Sequence, residues 1–397
     1  KFPSAWYTII MIERSIELEK HIKNGRTLIL YGARRTGKTT LIDNYVADNQ
    51  AKRKIVKYNG DNLSVQTNFS VNDISLLSQY VDGYDLLVID EAQNIDNIGK
   101  SLKILNDERK NLAVLVSGSS SFELKGQVGE PLVGRKTTLF LYPFSAYEVI
   151  DSIKDEPAIV AWKRLQEQFL IYGLYPDSIT ANNNNERSQF LAEMVDSLLL
   201  KDILAFQEVR ASDVLLKLLR LLAFQIGGEV SMEELGKTLG ISKNTVNRYL
   251  DLLEQAFIIF RLNGFSRNLR SEINKKSKYY FYDVGVRNAI INNFNALDMR
   301  NDIGQLWENF VVVERKKQLS YSGKKRNQYF WRTWEKQEID LVEEKDGKLF
   351  VFEAKWNPNK ESQLPKQWIQ EYGDTQFSVI NKDNFYDYFL SEGTTNE

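Results

Sequence analysis

The chain has 397 residues, 43% of them hydrophobic and 26% charged, which is more than one core holds, since single cores stop growing at roughly 250–300 residues. Cysteine is absent and His21 is the sole histidine. This excludes disulfides, thiolate zinc sites, iron–sulfur clusters, cysteine nucleophiles, His-based triads and multi-His metal cages. The 52 basic and 53 acidic residues leave a net charge of −1, which argues against a chain that coats nucleic acid by bulk charge.

The first apolar run, residues 5–12, is broken by Tyr7 and Thr8 and falls short of the roughly 20 residues that span a bilayer. Glu13, Glu17 and Glu19 follow it without a small-residue cleavage site, unlike a signal peptide. The expectation is a cytoplasmic protein without a membrane anchor.

Leu28-Ile29-Leu30-Tyr31 reads as a buried strand, followed by a glycine-rich loop and a helix from Thr40 to Ala47. Leu86 to Ile89 and Ala113 to Val116 are two further short apolar strands, and such strands separated by helical stretches predict a parallel sheet covered on both faces. Between the first strand and its helix, Gly32-Ala33-Arg34-Arg35-Thr36-Gly37-Lys38-Thr39 satisfies the phosphate-loop pattern in the context that pattern requires. Glycines let backbone N–H groups point inward, and Thr40 continues into a helix whose positive dipole end faces the phosphates. Lys38 then serves the β- and γ-phosphates of ATP and the Thr39 hydroxyl the Mg²⁺ ion. The second strand runs into Asp90-Glu91-Ala92-Gln93, at the strand end where open α/β sheets bind ligands. Asp90 suits the Mg²⁺ shell and Glu91 suits orienting the attacking water. The third strand ends at Ser117-Gly118-Ser119-Ser120, where Ser119 either senses the γ-phosphate or belongs to a plain turn.

Tyr31 to Thr40, Leu87 to Gln93 and Ser117 to Ser119, with Gly134-Arg135 and Pro143-Phe144-Ser145 beyond them, resemble the bacterial and archaeal AAA-type ATPases that carry a C-terminal DUF4143 region. Gly173-Leu174-Tyr175-Pro176-Asp177 resembles that family's Gly-Gly-x-Pro segment, with Leu174 where a second glycine is common. The resemblance makes Arg135 a candidate γ-phosphate-responsive arginine, with a structural salt bridge as the other reading.

From about Asp151 to Leu222 the pattern is helical, with leucines at helix spacing in 198–204 and 214–222 and an exposed loop at Asn182–Asn185. Ser231 to Leu250 has a helix-turn-helix outline, with a Ser231/Glu234 capping box, Gly240 ending the first helix and Ser242 capping the second. Phe257 to Leu262 follows as a wing strand. The last part mixes strands at Tyr279–Tyr282, Tyr329–Trp331, Ile339–Val342 and Leu349–Phe352 with a helix over Leu306–Leu319.

Asp340 on one strand and Glu353-x-Lys355 on the next, joined by a turn at Asp346-Gly347, converge if the strands pair as a hairpin. Two carboxylates then hold Mg²⁺ while Lys355 orients or deprotonates a water. The alternative is a cross-strand ion pair. This segment resembles the PD-(D/E)XK nuclease core, and Glu308 matches the additional acidic residue of that superfamily. Two basic stretches, 261–278 (Arg261, Arg267, Arg270, Lys275, Lys276 and Lys278) and 315–336 with interleaved Tyr321, Tyr329, Trp331 and Trp334, suit a phosphate backbone and stacked bases. Lys243, Asn244, Thr245, Asn247 and Arg248 extend that surface to the second helix of the helix-turn-helix.

The expected fold class is α/β: a P-loop NTPase parallel sheet (1–150), a helical lid (151–212), a winged helix (213–265) and an α/β restriction-endonuclease-like domain (266–397). The expected function is Mg²⁺-dependent ATP binding and hydrolysis coupled to DNA binding or cleavage. The alternatives are a regulatory ATPase whose nuclease-like domain is a scaffold and, behind it, a transcriptional regulator.

Overall fold

A computed structural model describes residues 12–118, 132–199, 212–267, 277–373 and 375–390. The chain divides into two compact units, one formed by 14–143 with 255–257 and the other by the remaining residues. Pro143 closes the main run of the first unit, and apart from residues 255–257 the expected lid, winged helix and C-terminal segments lie in the other unit.

In the first unit, β1 (Thr27–Tyr31) leads through the glycine loop to α1 (Lys38–Asn49), then β2 (Ile55–Asn59), α2 (Leu63–Phe69), α3 (Ile74–Gln79), β3 (Leu86–Asp90), α4 (Ile98–Glu108), β4 (Ala113–Gly118) and β5 (Lys136–Phe140). The strand order is β2-β3-β4-β1-β5, and every pairing is parallel. Strands β1, β3 and β4 are buried along their whole length, which explains their unbroken apolar sequences. Each buried Leu, Ile or Val there contributes about 1.5–3 kcal/mol. The edge strands β2 and β5 were not expected. Their sequences, IVKYN and KTTLF, are only partly buried and carry polar residues.

The second unit contains α5 (Ala146–Asp151), α6 (Ala158–Tyr172), α7 (Pro176–Thr180), α8 (Asn184–Glu193), α9 (Ser212–Phe224), β6 (Glu229–Val230), α10 (Met232–Leu239), α11 (Lys243–Gln255), β7 (Ile259–Gly264), β8 (Ser277–Phe281), α12 (Val284–Ile290), α13 (Ile303–Tyr321), β9 (Asn327–Arg332), β10 (Glu338–Lys345), β11 (Lys348–Ala354), α14 (Lys366–Tyr372), β12 (Gln376–Ile380) and α15 (Phe385–Phe389). A complete capping box at Ser145 and Glu148 starts α5. The asparagine run is exposed, as expected, but it is not all loop: Glu186 N–H donates to Asn183 Oδ1 (3.0 Å), so α8 begins inside the run. The leucines at 200–204 lie outside the described residues.

The helix-turn-helix forms as expected. Glu234 N–H donates to Ser231 Oγ (3.3 Å), Gly240 closes α10 in the left-handed region, and Thr245 N–H donates to Ser242 Oγ (3.1 Å). Strand β7 pairs antiparallel with β8, which in turn pairs with β6, while the other edge of β7 joins β9 in parallel at Asn263↔Tyr329 and Gly264↔Phe330. The expected wing strand is therefore also an inner strand of a seven-stranded sheet, ordered β12-β11-β10-β9-β7-β8-β6. Helix α13 packs Val312 and Val313 on Phe260, Tyr280, Phe330 and Leu341. Trp368 of α14 joins Trp331, Ile339, Val342 and Val351 in a second cluster.

Candidate functional site

The loop after β1 is shaped by contacts that allow few substitutions. A Cβ at Gly32 would stand 2.3 Å from the Leu141 carbonyl oxygen. Arg35 (φ 61°) and Gly37 (φ 89°) turn the backbone through the left-handed region so that α1 starts at Lys38. Thr36 is buried and donates its hydroxyl to Ala33 O (2.9 Å). Ala33 is half-buried, whereas Arg34, Arg35 and Thr40 are exposed. Lys38 is only 5% exposed, and its ammonium donates to Gly32 O (2.9 Å) and Ala33 O (2.8 Å).

The neighbouring strands supply the oxygen ligands. Asp90 ends β3 buried, and it accepts the Thr39 hydroxyl at Oδ2 (2.7 Å) and the Ser117 hydroxyl at Oδ1. Ser117 Oγ also accepts Glu91 N–H (3.1 Å), so one serine fixes both acidic residues. Glu91 has φ 52°, and its carboxylate accepts a hydrogen bond from Gln93. Gly60, just after β2, lies against this turn; a Cβ there would be 2.3 Å from Glu91 O. Ser117 and Gly60 were missed as contributors. Their signal was position, each lying at the C-terminal end of a strand in the sheet.

Ser119 lies outside the described residues. Arg135 is not brought to the loop: its carbonyl accepts Thr27 N–H (2.9 Å) at the opposite end of β1, and its guanidinium pairs with Asp107 (2.6 Å). Within this chain Arg135 thus lies in a salt bridge at the end of the sheet away from the loop.

In the second unit, a left-handed Asp346 (φ 52°) and Gly347 (φ 78°) close the β10–β11 hairpin, and the register Leu341↔Phe352 sets Asp340 beside Glu353. An irregularity in β10 between Ile339 and Val342 spans Asp340 and Leu341, a device that re-aims side chains. Asp340 Oδ2 accepts Ala354 N–H (2.9 Å), and Lys355 donates to Glu353. Carboxylate oxygens of Glu308, Glu338 and Asp340 lie within 4.8 Å of one another. Glu338 was not anticipated, although its two-residue spacing from Asp340 was visible. Lys278, expected on the basic surface, is fully buried in this group. Its ammonium is 2.8 Å from Glu308 and also pairs with Glu338, and Tyr280 donates to Glu308 (2.6 Å).

Burial, with the neighbouring Asp340 charge adding to it, pushes Glu308 and Glu353 up to about 7, and burial also raises Asp340. Burial opposes charge on Lys278, but the surrounding acids hold its pKa well above the ordinary value. Raised carboxylates bind protons in the folded state that the unfolded chain has already released. Their contribution to stability is therefore present below the ordinary carboxylate range and is lost as pH rises through about 7. Calorimetry on metal-free protein should show the melting temperature falling from pH 5 to 7.5, with a shallower fall in Glu353→Gln.

Much of the expected basic surface is internal. Glu343 is fully buried and takes a two-pronged bond from Arg315 (2.9 and 2.8 Å) and another from Arg326 (3.1 Å). Lys317 is buried between Glu314 (2.7 Å) and Phe144 O (2.8 Å). Trp331 is core, whereas Trp334 and Arg267 are exposed. Arg270, Lys275 and Lys276 lie outside the described residues. On α11, Asn244 and Arg248 are exposed, Lys243 pairs with Glu233 (2.9 Å) and Asn247 bonds Asp251 (3.0 Å).

A glycine loop between β1 and α1, with a carboxylate at the end of β3 facing the loop's threonine, defines the first unit as a P-loop nucleotide-binding fold. Residues 24–150 match the AAA domain family AAA_14, 163–297 a domain of unknown function (DUF8612) and 303–393 a second one (DUF4143). The protein thus carries an AAA-type ATPase domain followed by a DUF4143 region. It is similar to an uncharacterised protein of Mycobacterium tuberculosis, 27% identical over 359 residues, 89% of this chain and 76% of the relative. An uncharacterised protein of Methanocaldococcus jannaschii is 24% identical over 325 residues, 77% and 69% of the two chains. Among solved structures, AMPPCP-bound DnaA from Aquifex aeolicus aligns over 60% of this chain and 84% of its own, with 14% identity and a TM-score of 0.26, a likeness too slight to argue from. Among the described residues no helix is long and apolar enough to cross a membrane.

Proposed function

We propose that the protein is a Mg²⁺-dependent ATPase whose nucleotide state governs DNA engagement by the C-terminal unit, and that Asp340, Glu353 and Lys355 form a phosphodiester-cleaving site there. The observation that carries the ATPase reading is the hydrogen-bonded row Thr39–Asp90–Ser117 beside Lys38. Its hydroxyl and carboxylate oxygens are the hard donors Mg²⁺ takes, alongside water and phosphate oxygens. When bound, Mg²⁺ neutralises charge on the β- and γ-phosphates. Lys38 adds a fixed positive charge, Gly32 to Gly37 present backbone N–H groups, and Glu91 orients the water. The DNA reading is supported by the α10–α11 pair followed by β7 and β8, with β6 alongside β8, the outline of a winged helix, and by exposed Asn244 and Arg248 on α11.

A second reading, in which the C-terminal domain is a non-cleaving scaffold, is favoured by the burial of Lys278 among the carboxylates and of Arg315, Lys317 and Arg326 in ion pairs. ATP turnover and strand scission measured together, with Mg²⁺ and then Mn²⁺, on linear, branched and single-stranded DNA separate the two. The cleavage reading predicts scission that drops at least about 100-fold in Asp340→Ala and Lys355→Ala while ATP turnover persists. No scission with either metal establishes the scaffold.

A further inference from the structure

Sequence alternation along β8 puts Lys278 and Tyr280 on one face, and both reach the same oxygen of Glu308, at 2.8 and 2.6 Å. The other oxygen of Glu308 lies against Gly227, where an added Cβ would stand 3.0 Å away. The Lys278 ammonium also pairs with Glu338 and lies over the Phe330 ring, 5.5 Å from its centroid. Two of the three carboxylates that converge here are thus already paired with one cation of the chain itself. Lys278 has no exposed surface. A divalent ion between Glu308 and Glu338, both half-buried, would sit next to the like charge of buried Lys278, which disfavours it.

We infer that Lys278 stands in place of a metal between Glu308 and Glu338, so that neither is a metal ligand and a divalent ion in this domain is held from the Asp340–Glu353 side alone. This rests on the reading that the domain takes a divalent ion, and it removes Glu308 from the ligand set that the superfamily resemblance implied. Lys278 is a positioning residue: it fixes Glu308 and Glu338 and supplies a permanent positive charge next to Asp340.

The test is Mn²⁺ binding to the full chain without nucleotide, followed by calorimetry and by counting bound ions with electron paramagnetic resonance. Glu308→Gln keeps an acceptor for Lys278 and Tyr280, and should bind Mn²⁺ within about twofold of the parent, whereas Asp340→Asn should bind at least about tenfold more weakly. Lys278→Met should gain one further Mn²⁺ equivalent, which adding Glu308→Gln removes. Equal weakening by Glu308→Gln and Asp340→Asn overturns the inference. If the parent and Asp340→Asn bind alike, the metal reading of the domain has failed instead. The Lys278→Met protein then decides: a gained equivalent upholds the lysine's role, and no gain refutes it.

Discussion

Lys38→Ala is expected to weaken ATP binding at least about tenfold and to lower turnover by a further factor of roughly 10²–10³, the usual loss when one fixed donor to developing charge is removed. The ammonium donates to two loop carbonyls, Gly32 O and Ala33 O, which water reaches once the side chain is shortened. The loop's course is set elsewhere, by Gly32 against Leu141, by the Thr36 hydroxyl on Ala33 O and by the left-handed Gly37 that opens α1. The variant should therefore melt within a few degrees of the parent while losing nucleotide. Calorimetric titration with a non-hydrolysable triphosphate, alongside a melting curve, reads both quantities. Triphosphate affinity equal to that of the parent in a folded Lys38→Ala protein would refute the phosphate-site assignment.

The phosphate loop was legible because its chemistry is local: eight consecutive residues carry the turn, the donors and the helix start, and β1 and β3 announce themselves as unbroken apolar runs. Edge strands β2 and β5 escaped because a strand half-exposed on both faces mixes Lys, Thr and Asn with its apolar residues and loses both patterns. The place of Arg135 was hidden for a related reason. Its distance in sequence from β4 does not tell which end of β5 it occupies, and the parallel register with β1 puts it beside Thr27 rather than Gly32. The C-terminal acids were found from the hairpin spacing, but Lys278 was counted with its basic neighbours. Composition does not distinguish a lysine facing solvent from one facing α13. That choice depends on the phase of β8, fixed by its pairing Lys278↔Leu262. Burial of Arg315 and Arg326 likewise depends on a single acid, Glu343, brought from β10.

Gly173→Ala is expected to be the most damaging single-methyl change in the second unit, on the order of 4 kcal/mol, combining backbone strain with disruption of a buried carboxylate. Gly173 ends α6 at φ 67°, ψ −162°, a region open essentially to glycine alone. A Cβ there would stand 1.9 Å from Asp283 Oδ1. That carboxylate is buried, accepts Leu174 N–H (2.7 Å) and Val286 N–H (3.1 Å), and so ties the 173–177 segment to the start of α12. The contact is reciprocal: a Cβ at Gly285 would meet Tyr172 O at 2.3 Å. Gly173 to Asp177, which carries part of the family resemblance, and the segment from Tyr280 to Gly285 are thus halves of one junction. A double-mutant cycle with Asp283→Ala separates the two costs, because removing the carboxylate relieves the clash but not the strain. The double variant should be less destabilised than the sum of the singles by about 1–3 kcal/mol. Strict additivity, or a Gly173→Ala protein within 1 kcal/mol of the parent, would show that the junction is looser than its geometry.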